Sequence, residues 1–224
     1  MSNRTRGSIS KIIRNDACLY EGNLVVYFRT IFNKARNLRY GYHNFRHIFH
    51  VTGLCYQACL FYRNKLTRRE IRNLLIAAMF HDFDHLGLLG DDDLNIAKAI
   101  RGLERHILDQ DRPNLPDIVL LIKATEYPYK VPSVKLELSA QIIRDCDLSQ
   151  SLSVAWIQQV VFGLAEEWGK KPIEVLRMQE SYLDHLNFET EWARKMFPKS
   201  DVAGKIKEAQ EILELLDGES SASI

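Results

Sequence analysis

The chain has 224 residues, and its thirty Lys and Arg against twenty-nine Asp and Glu give a net charge of +1. This length suits one domain with a substantial buried core. The near balance of charge gives no field that would attract nucleic acid or an anionic membrane. No apolar run is long enough to cross a bilayer, and the polar N-terminus lacks a secretion signal. Cys18, Cys55, Cys59 and Cys146 form no C-x-x-C pair, which is typical of a reduced cytoplasmic protein.

Apolar residues recur at helical spacing along most of the chain, and all six prolines lie at or beyond Pro113. Thr67-x-x-Glu70 is a capping-box pattern that indicates a helix start. No segment alternates apolar and polar residues for long enough to indicate a strand. We therefore predict an all-α, compact multi-helix bundle forming one domain over residues 1–224, with residues 1–8 and 218–224 flexible. The predicted helices lie near residues 20–37, 44–64, 68–82, 93–109, 116–125, 134–149, 152–168, 172–197 and 201–216.

The first segment with the composition of a metal site is Tyr42-His43-Asn44-Phe45-Arg46-His47. In a helix, His43, His47 and His50 would project from one face, with the first two about 6 Å apart at Cβ. One imidazole can then bind a metal while its neighbour serves a substrate. For this segment alone, a polar helix face with structural histidines is the alternative.

The second segment, His81-Asp82-x-Asp84-His85, follows the apolar run from Leu74 to Phe80. The His and Asp therefore emerge where a buried helix ends. A buried carboxylate without compensation costs several kcal/mol, and a divalent metal satisfies both a buried Asp and a neutral His. His85 and Asp84 are expected to orient the metal ligands or their waters.

A further ligand is expected from a distant helix. Asp145 and Asp147 end the apolar stretch that contains Ile142 and Ile143, and Asp147 is the predicted ligand. Asp145 is interpreted as an ordinary helix-end acid. Cys146 is interpreted as a buried neighbour of the site and not as a nucleophile, since a metal hydroxide needs no activated thiol.

These segments, in the order Y-H-N-x-x-H, H-D-x-D-H-x-G and D-L-S, resemble the HD superfamily of metal-dependent phosphohydrolases. The closest similarity is to the catalytic domain of cyclic nucleotide phosphodiesterases. Weaker similarity continues through residues 102–106, through Thr125-Glu126 and through Gln179-x-x-Tyr182. The resemblance covers roughly residues 40 to 195, and it implies a fold of the HD-domain and phosphodiesterase type.

The resemblance implies a role for each matching position. One set of side chains would bind a divalent ion, with Asp82 bridging to a second ion, and the metals are left open among Zn, Mn, Mg and Fe. His43 would be the general acid that protonates the departing 3′-alkoxide. The predicted metal ligands are His47, His81, Asp82 and Asp147. The residues predicted to support these ligands are His85, Asp84, Glu104 and His106. The residues predicted to bind the substrate are Tyr42, Asn44, Gln179 and Tyr182. Solvated or core positions on their helices are the alternative for Glu104, His106, Gln179 and Tyr182.

Two classes of function remain open. The favoured one is hydrolysis of a 3′,5′-cyclic nucleotide to a 5′-nucleotide by a metal-bridging hydroxide, with another nucleotide or small phosphoester as its variant. The other is a regulatory binding protein on an HD scaffold that has lost catalysis. Retention of all four ligands together with His43 argues against the second class. The expected partner is a small-molecule substrate, and the sequence leaves the base and the oligomeric state open.

Overall fold

The computed structural model describes residues 24–90 and 92–221, and within these ranges it contains α-helices and short helical turns but no strand. The all-α prediction is therefore confirmed. Cys18, the expected start of the first helix near residue 20, the N-terminal segment 1–8 and residues 222–224 lie outside the described residues. Residues 218–221, part of the segment 218–224 that was expected to be flexible, belong to a helix. The described part of the chain forms ten α-helices, which are α1 Val25–Lys34, α2 Phe45–Phe61, α3 Arg68–Phe80, α4 Asp92–His106, α5 Leu115–Ala124, α6 Leu138–Leu148, α7 Gly163–Trp168, α8 Pro172–Asp184, α9 Glu191–Met196 and α10 Lys199–Ser221.

The larger hydrophobic cluster surrounds α3. This helix begins at the predicted capping box, in which Thr67 and Glu70 each bind the other's backbone N–H. Every residue of α3 from Ile71 to Phe80 is buried. Helices α2, α5 and α6 pack on it, so that the ends of α3 and α6 approach the start of α2. Cys55, Cys59 and Cys146 are buried in this cluster, as expected for core residues.

A buried ion pair joins α3 to the loop after α4. Arg72 donates from Nε and Nη2 to the two carboxylate oxygens of Asp111 at 2.6 and 2.7 Å. Tyr27 of α1 donates to the same carboxylate at 2.7 Å. Burial raises the pKa of Asp111, but its bonds to Arg72 and Tyr27 outweigh this effect and leave the pKa below its usual range.

A smaller hydrophobic cluster is formed by the second half of the chain. It joins a π-helical turn, Ile157–Phe162, to α7, α8 and α10. The turn runs directly into α7, and Gly169 ends α7 in the left-handed conformation. Helix α10 covers α8 with Ala209 and Leu213. Among the described residues, no helix is both long and apolar enough to cross a membrane.

The structure corrects one predicted helix. Residues 172–197 form two helices, α8 and α9, with an irregular segment from His185 to Thr190 between them. Asp145 causes the break, because its carboxylate accepts the backbone N–H groups of Glu189 and Thr190 at 2.9 and 2.8 Å. Asp145 is also only 1% exposed, so its interpretation as an ordinary helix-end acid is wrong. Burial raises its pKa to about 6.

Candidate active site

Asn44 sets the start of α2 and thereby the direction of the neighbouring histidines. Its Oδ1 accepts the backbone N–H groups of Arg46 and His47, and its Nδ2 donates to the carbonyls of Tyr40 and Gly41. This is an N-cap that uses the whole side-chain amide. The prediction that Asn44 binds substrate is therefore corrected, because no polar group of the amide remains for a ligand.

Asn37, which no sequence motif indicated, joins the two His/Asp segments. It is fully buried, and its Nδ2 donates to the carbonyl oxygens of His43 at 2.7 Å and Asp82 at 2.8 Å. Its Oδ1 accepts the backbone N–H of Asp84 at 3.0 Å. A single amide thus fixes the backbone of one motif against the other.

The four predicted metal ligands lie together at the ends of α2, α3 and α6. The Nε2 atom of His47 lies 3.3 Å from His81 Nε2, 3.3 Å from an oxygen of Asp82 and 3.0 Å from an oxygen of Asp147. His81 Nε2 lies 3.3 Å from the same Asp82 oxygen and 3.6 Å from the same Asp147 oxygen. Bonds of about 2.0–2.2 Å to one ion place neighbouring ligand atoms roughly 3–3.5 Å apart, so this spacing fits a metal site.

The hydrogen bonds behind the two imidazoles fit the same conclusion. His81 Nδ1 contacts the carbonyl oxygen of Ala78 at 2.8 Å, and His47 Nδ1 contacts Gln150 Oε1 at 2.6 Å. Both partners are acceptors, so each Nδ1 carries a proton and each Nε2 is the nitrogen that can offer a lone pair to a metal. Asp82 Oδ2 is buried and has no hydrogen-bond partner. Two lone pairs and two carboxylates that face one point are the donor set of a divalent cation.

The close approach of carboxylates and imidazoles in this cluster shifts their pKa values. Burial opposes ionisation throughout, but the neighbouring histidines hold the pKa of Asp82 well below its usual range and lower that of Asp147 to about 2. Burial also lowers the pKa of His81, while Asp82 and Asp147 outweigh it and raise the pKa well above its usual value. The carboxylates are therefore ionised at neutral pH and attract positive charge.

His43 has a partner that sequence analysis missed, Glu167 at the end of α7. One oxygen of this carboxylate is hydrogen-bonded to His43 Nδ1. The other accepts the backbone N–H groups of Tyr42 and His43 at 2.9 and 3.0 Å. Burial lowers the pKa of His43, but Glu167 and Asp82 outweigh it, so the pKa lies above its usual value. His43 Nε2 is then the nitrogen that remains free to give a proton.

Close backbone packing brings Glu167 to His43. A Cβ atom added at Gly41 would lie 2.1 Å from the carbonyl oxygen of Gly163, and one added at Gly163 would lie 2.6 Å from that of Gly41. Only glycine at both positions allows this approach. The loop before α2 therefore lies directly on the start of α7, and Glu167 follows within one turn of that helix.

His85 contacts His43 and not the group formed by His47, His81, Asp82 and Asp147, which is called the metal cluster below. Its ring stacks on His43 with the centroids 3.6 Å apart. Its Nδ1 accepts the backbone N–H of Gly87 at 3.0 Å, and burial together with the charge of His43 lowers its pKa to about 4. Although His43, His85 and Glu167 place ligand atoms within 4.8 Å of one another, the Nδ1 atoms of both histidines are already engaged. We interpret the group as a hydrogen-bonded acid.

A cavity of about 550 Å³ opens over the metal cluster and His43. This volume is within the usual range of small-molecule sites. No Lys or Arg among the described residues lines it, so positive charge from the protein comes only from histidines. The lining residues include His43, His81, Asp82, His85, Asp92, Asp147, Trp168, Gln179, Tyr182 and the apolar side chains of Leu88, Leu89, Ile96 and Met178.

The predicted base-binding pair lies on the wall of this cavity, on α8. Gln179 is buried, and its Oε1 accepts the hydroxyl of Ser151 at 2.8 Å. The Tyr182 hydroxyl donates to the carbonyl oxygen of Leu148 at 2.9 Å, which satisfies a polar group that would be costly to bury alone. Both side chains are therefore held in place without a ligand.

The remaining predicted residues do not reach the cluster. Glu104 is exposed, and His106 packs against Phe83 with the ring centroids 5.9 Å apart. Asp84 has a positive φ of 61° and accepts the backbone N–H of Arg36 at 2.9 Å. The prediction that Glu104, His106 and Asp84 support the metal ligands is therefore wrong. Tyr42 packs its ring on His43 and His47, 4.7 Å from each by centroid, and does not line the cavity.

Comparison with known proteins agrees with the two His/Asp motifs. Residues 42–93 match the family model of the 3′5′-cyclic nucleotide phosphodiesterase. The resemblance predicted from the sequence is confirmed for this segment, and it supports a phosphoric ester hydrolase. No curated protein matches the chain. Asp147, Glu167 and Gln179 lie outside the matched segment, so their assignment depends on the geometry described above.

Proposed function

We propose that this protein is a metal-dependent phosphodiesterase that hydrolyses a 3′,5′-cyclic nucleotide to the 5′-nucleotide. The observation that carries the proposal is the position of His43, hydrogen-bonded to Glu167, in the cavity that His81, Asp82 and Asp147 line. His47 is buried, and its Nε2 lies 3.3 Å from His81 Nε2 and from an oxygen of Asp82 and 3.0 Å from an oxygen of Asp147. A proton donor and a cation-binding cluster that face one cavity are the two components that ester hydrolysis requires.

Each component has a separate task. One divalent ion would be held by His47, His81, Asp82 and Asp147. Asp82 would also contact a second ion. Such ions, when bound, neutralise phosphate oxygens and lower the pKa of a water so that hydroxide is present at neutral pH. His43 gives its proton from Nε2 to the departing 3′-oxygen, while Glu167 holds Nδ1 and stabilises the imidazolium.

The cavity favours a phosphodiester over a more highly charged nucleotide. Asp82, Asp92 and Asp147 line it, and no Lys or Arg among the described residues compensates them. A cyclic phosphodiester carries a single negative charge, whereas a nucleoside triphosphate would bring several into this acidic space. The apolar wall with Gln179 and Tyr182 then offers a surface and an amide for the base.

The test combines metal analysis with direct measurement of ester cleavage. Purified protein is incubated with cyclic and linear nucleotides in the presence of manganese, magnesium or zinc. Asp82→Ala should lose both metal and activity, whereas His43→Gln should keep the metal and lose about a hundredfold or more in turnover. Asp201→Ala, at an exposed position on α10, is the matched control and should behave as wild type.

Three results would contradict the proposal. Full metal occupancy in Asp82→Ala would remove the metal assignment. Loss of metal in His43→Gln would make His43 a ligand and not an acid. Tight nucleotide binding without cleavage under any of the three metals would favour the regulatory scaffold instead.

A further inference from the structure

A chain of two glutamines lies behind the metal cluster. His47 Nδ1 contacts Gln150 Oε1 at 2.6 Å, and Gln150 Nε2 donates to Gln159 Oε1 at 3.0 Å. Gln150 is 2% exposed and lies on the 3-10 turn that follows α6. Both ends of its amide are therefore engaged inside the protein, one with a predicted metal ligand and the other with Gln159.

Gln159 belongs to the π-helical turn Ile157–Phe162. Such turns are rare and occur often at functional sites, because the wider turn changes the direction of its side chains. Here the turn buries Val160 and Val161 in the smaller hydrophobic cluster, leaves Gln158 exposed and brings Gln159 to Gln150. The irregular backbone thus places Gln159 so that it accepts a hydrogen bond from Gln150, which in turn contacts His47.

We propose that Gln150 and Gln159 are positioning residues that keep the proton of His47 on Nδ1 and its Nε2 lone pair directed at the metal position. The proposal deepens the proposed function, since it rests on His47 being a ligand. Turning the Gln150 amide over would place N–H groups against Nδ1 and force the proton to Nε2. That reversal would also lose the hydrogen bond from Gln150 Nε2 to Gln159 Oε1, unless the Gln159 amide turned as well.

The relay formed by Gln150 and Gln159 explains how His47 would keep an unprotonated nitrogen directed at the metal, which the four ligands alone do not explain. A histidine binds a metal only through an unprotonated nitrogen, and the partner of its other nitrogen decides which tautomer is present. His81 has a backbone carbonyl for this purpose, which cannot reverse. His47 depends on a side-chain amide, which can reverse unless a second group fixes it.

The experiment measures the affinity of metal-free protein for Mn²⁺ by titration, without any substrate. Gln150→Met keeps the length of the side chain but removes the acceptor, and it should weaken Mn²⁺ binding about tenfold to a hundredfold. Gln159→Met should weaken binding less, because it leaves Gln150 in contact with His47. Gln150→Glu keeps an acceptor at the same place and should bind Mn²⁺ at least as tightly as wild type.

Gln158→Met is the matched control, since it makes the same change one residue away on the exposed side of the π-helical turn. It should leave the dissociation constant unchanged. The proportion of the Nδ1–H tautomer of His47, read from ¹⁵N NMR of histidine-labelled metal-free protein, gives a second measurement. This proportion should fall in Gln150→Met and remain high in Gln150→Glu.

The outcomes separate the relay from the proposed function. If wild type binds Mn²⁺ and Gln150→Met binds it equally well, the relay is wrong and the metal site stands. If wild type binds no metal, the proposed function fails, and the tautomer measurement still decides the relay. If Gln150→Met does not fold, Gln159→Met and Gln150→Glu decide it. A loss in Gln150→Glu as large as in Gln150→Met would show a packing role and overturn the proposal.

Discussion

Replacing Glu167 by Gln tests the arrangement that places the proton donor. In the wild type one carboxylate oxygen binds His43 Nδ1, and the other accepts two backbone N–H groups at 2.9 and 3.0 Å. An amide has one acceptor and one donor end, so it cannot satisfy all three groups. Either the backbone N–H groups lose their acceptor, or His43 Nδ1 faces an NH₂ group that no longer stabilises the imidazolium.

The size of the effect follows from the bond that is lost. A hydrogen bond to a charged group contributes about 1.5–3 kcal/mol, which corresponds to roughly tenfold to a hundredfold in rate. The loss should appear in kcat for a cyclic nucleotide, whose alkoxide leaving group needs a proton. It should be small for bis(p-nitrophenyl) phosphate, whose leaving group departs without one. Metal content should not change, and Glu166→Gln, at the exposed neighbouring position, is the matched control.

The pH dependence of the cyclic nucleotide reaction should shift in a defined direction. The pKa of His43 is raised by Glu167 and the nearby carboxylates, and the protonated form is the acid. Activity is therefore maintained below the raised pKa and lost as pH rises through it. In Glu167→Gln the loss should begin at a lower pH. Equal losses on both substrates, or an unchanged pH profile, would refute the role given to Glu167.

Three further changes test other parts of the structure. Gly87→Ala would place a Cβ atom 2.9 Å from the Tyr40 ring and 3.0 Å from Glu167 Cγ at a φ of +70°, so turnover should fall while bound metal is retained, as elemental analysis would report. Arg72→Met leaves Asp111 buried without its cation and should lower the free energy of unfolding in urea by about 3–5 kcal/mol at neutral pH. The deficit should shrink as pH falls through the lowered pKa of Asp111, because its ionised form is then lost from the wild type. Gln179→Ala should raise KM for a cyclic nucleotide severalfold and leave bis(p-nitrophenyl) phosphate unaffected; equal losses would indicate a structural role.

The proximity of the four predicted metal ligands could be expected from the sequence because most of them lie in short motifs with fixed spacing. His81 and Asp82 are adjacent at the end of a buried helix, and His47 lies in the first turn of α2, whereas His43 precedes that helix and does not share its face as the helical spacing predicted. Local geometry alone then limits where these side chains point. Only Asp147 required a long-range assumption, and the structure places it 3.0 Å from His47.

The supporting residues could not be predicted in the same way. Asn37, Gln150 and Glu167 lie in no motif, and each acts through the backbone or the far side of a histidine. Glutamine and glutamate on a helix are most often solvated, so residue type gave no signal. Conversely, Glu104 resembled a family position but is exposed on α4. A match of residue type without a defined spacing to the metal motifs therefore carried little information.

The cavity over His43 and the predicted metal ligands is lined by residues of both hydrophobic clusters, and each cluster carries a different part of the proposed chemistry. The larger cluster contains α2, α3 and α6, whose ends carry the side chains predicted to bind a cation. The smaller one contains the π-helical turn, α7 and α8, which carry Gln159, Glu167 and Gln179. A change in packing between the clusters should therefore alter the contact of Glu167 with His43 and, through Gln159 and Gln150, the support of His47. The close contact between the backbones of Gly41 and Gly163 brings Glu167 within hydrogen-bonding distance of His43.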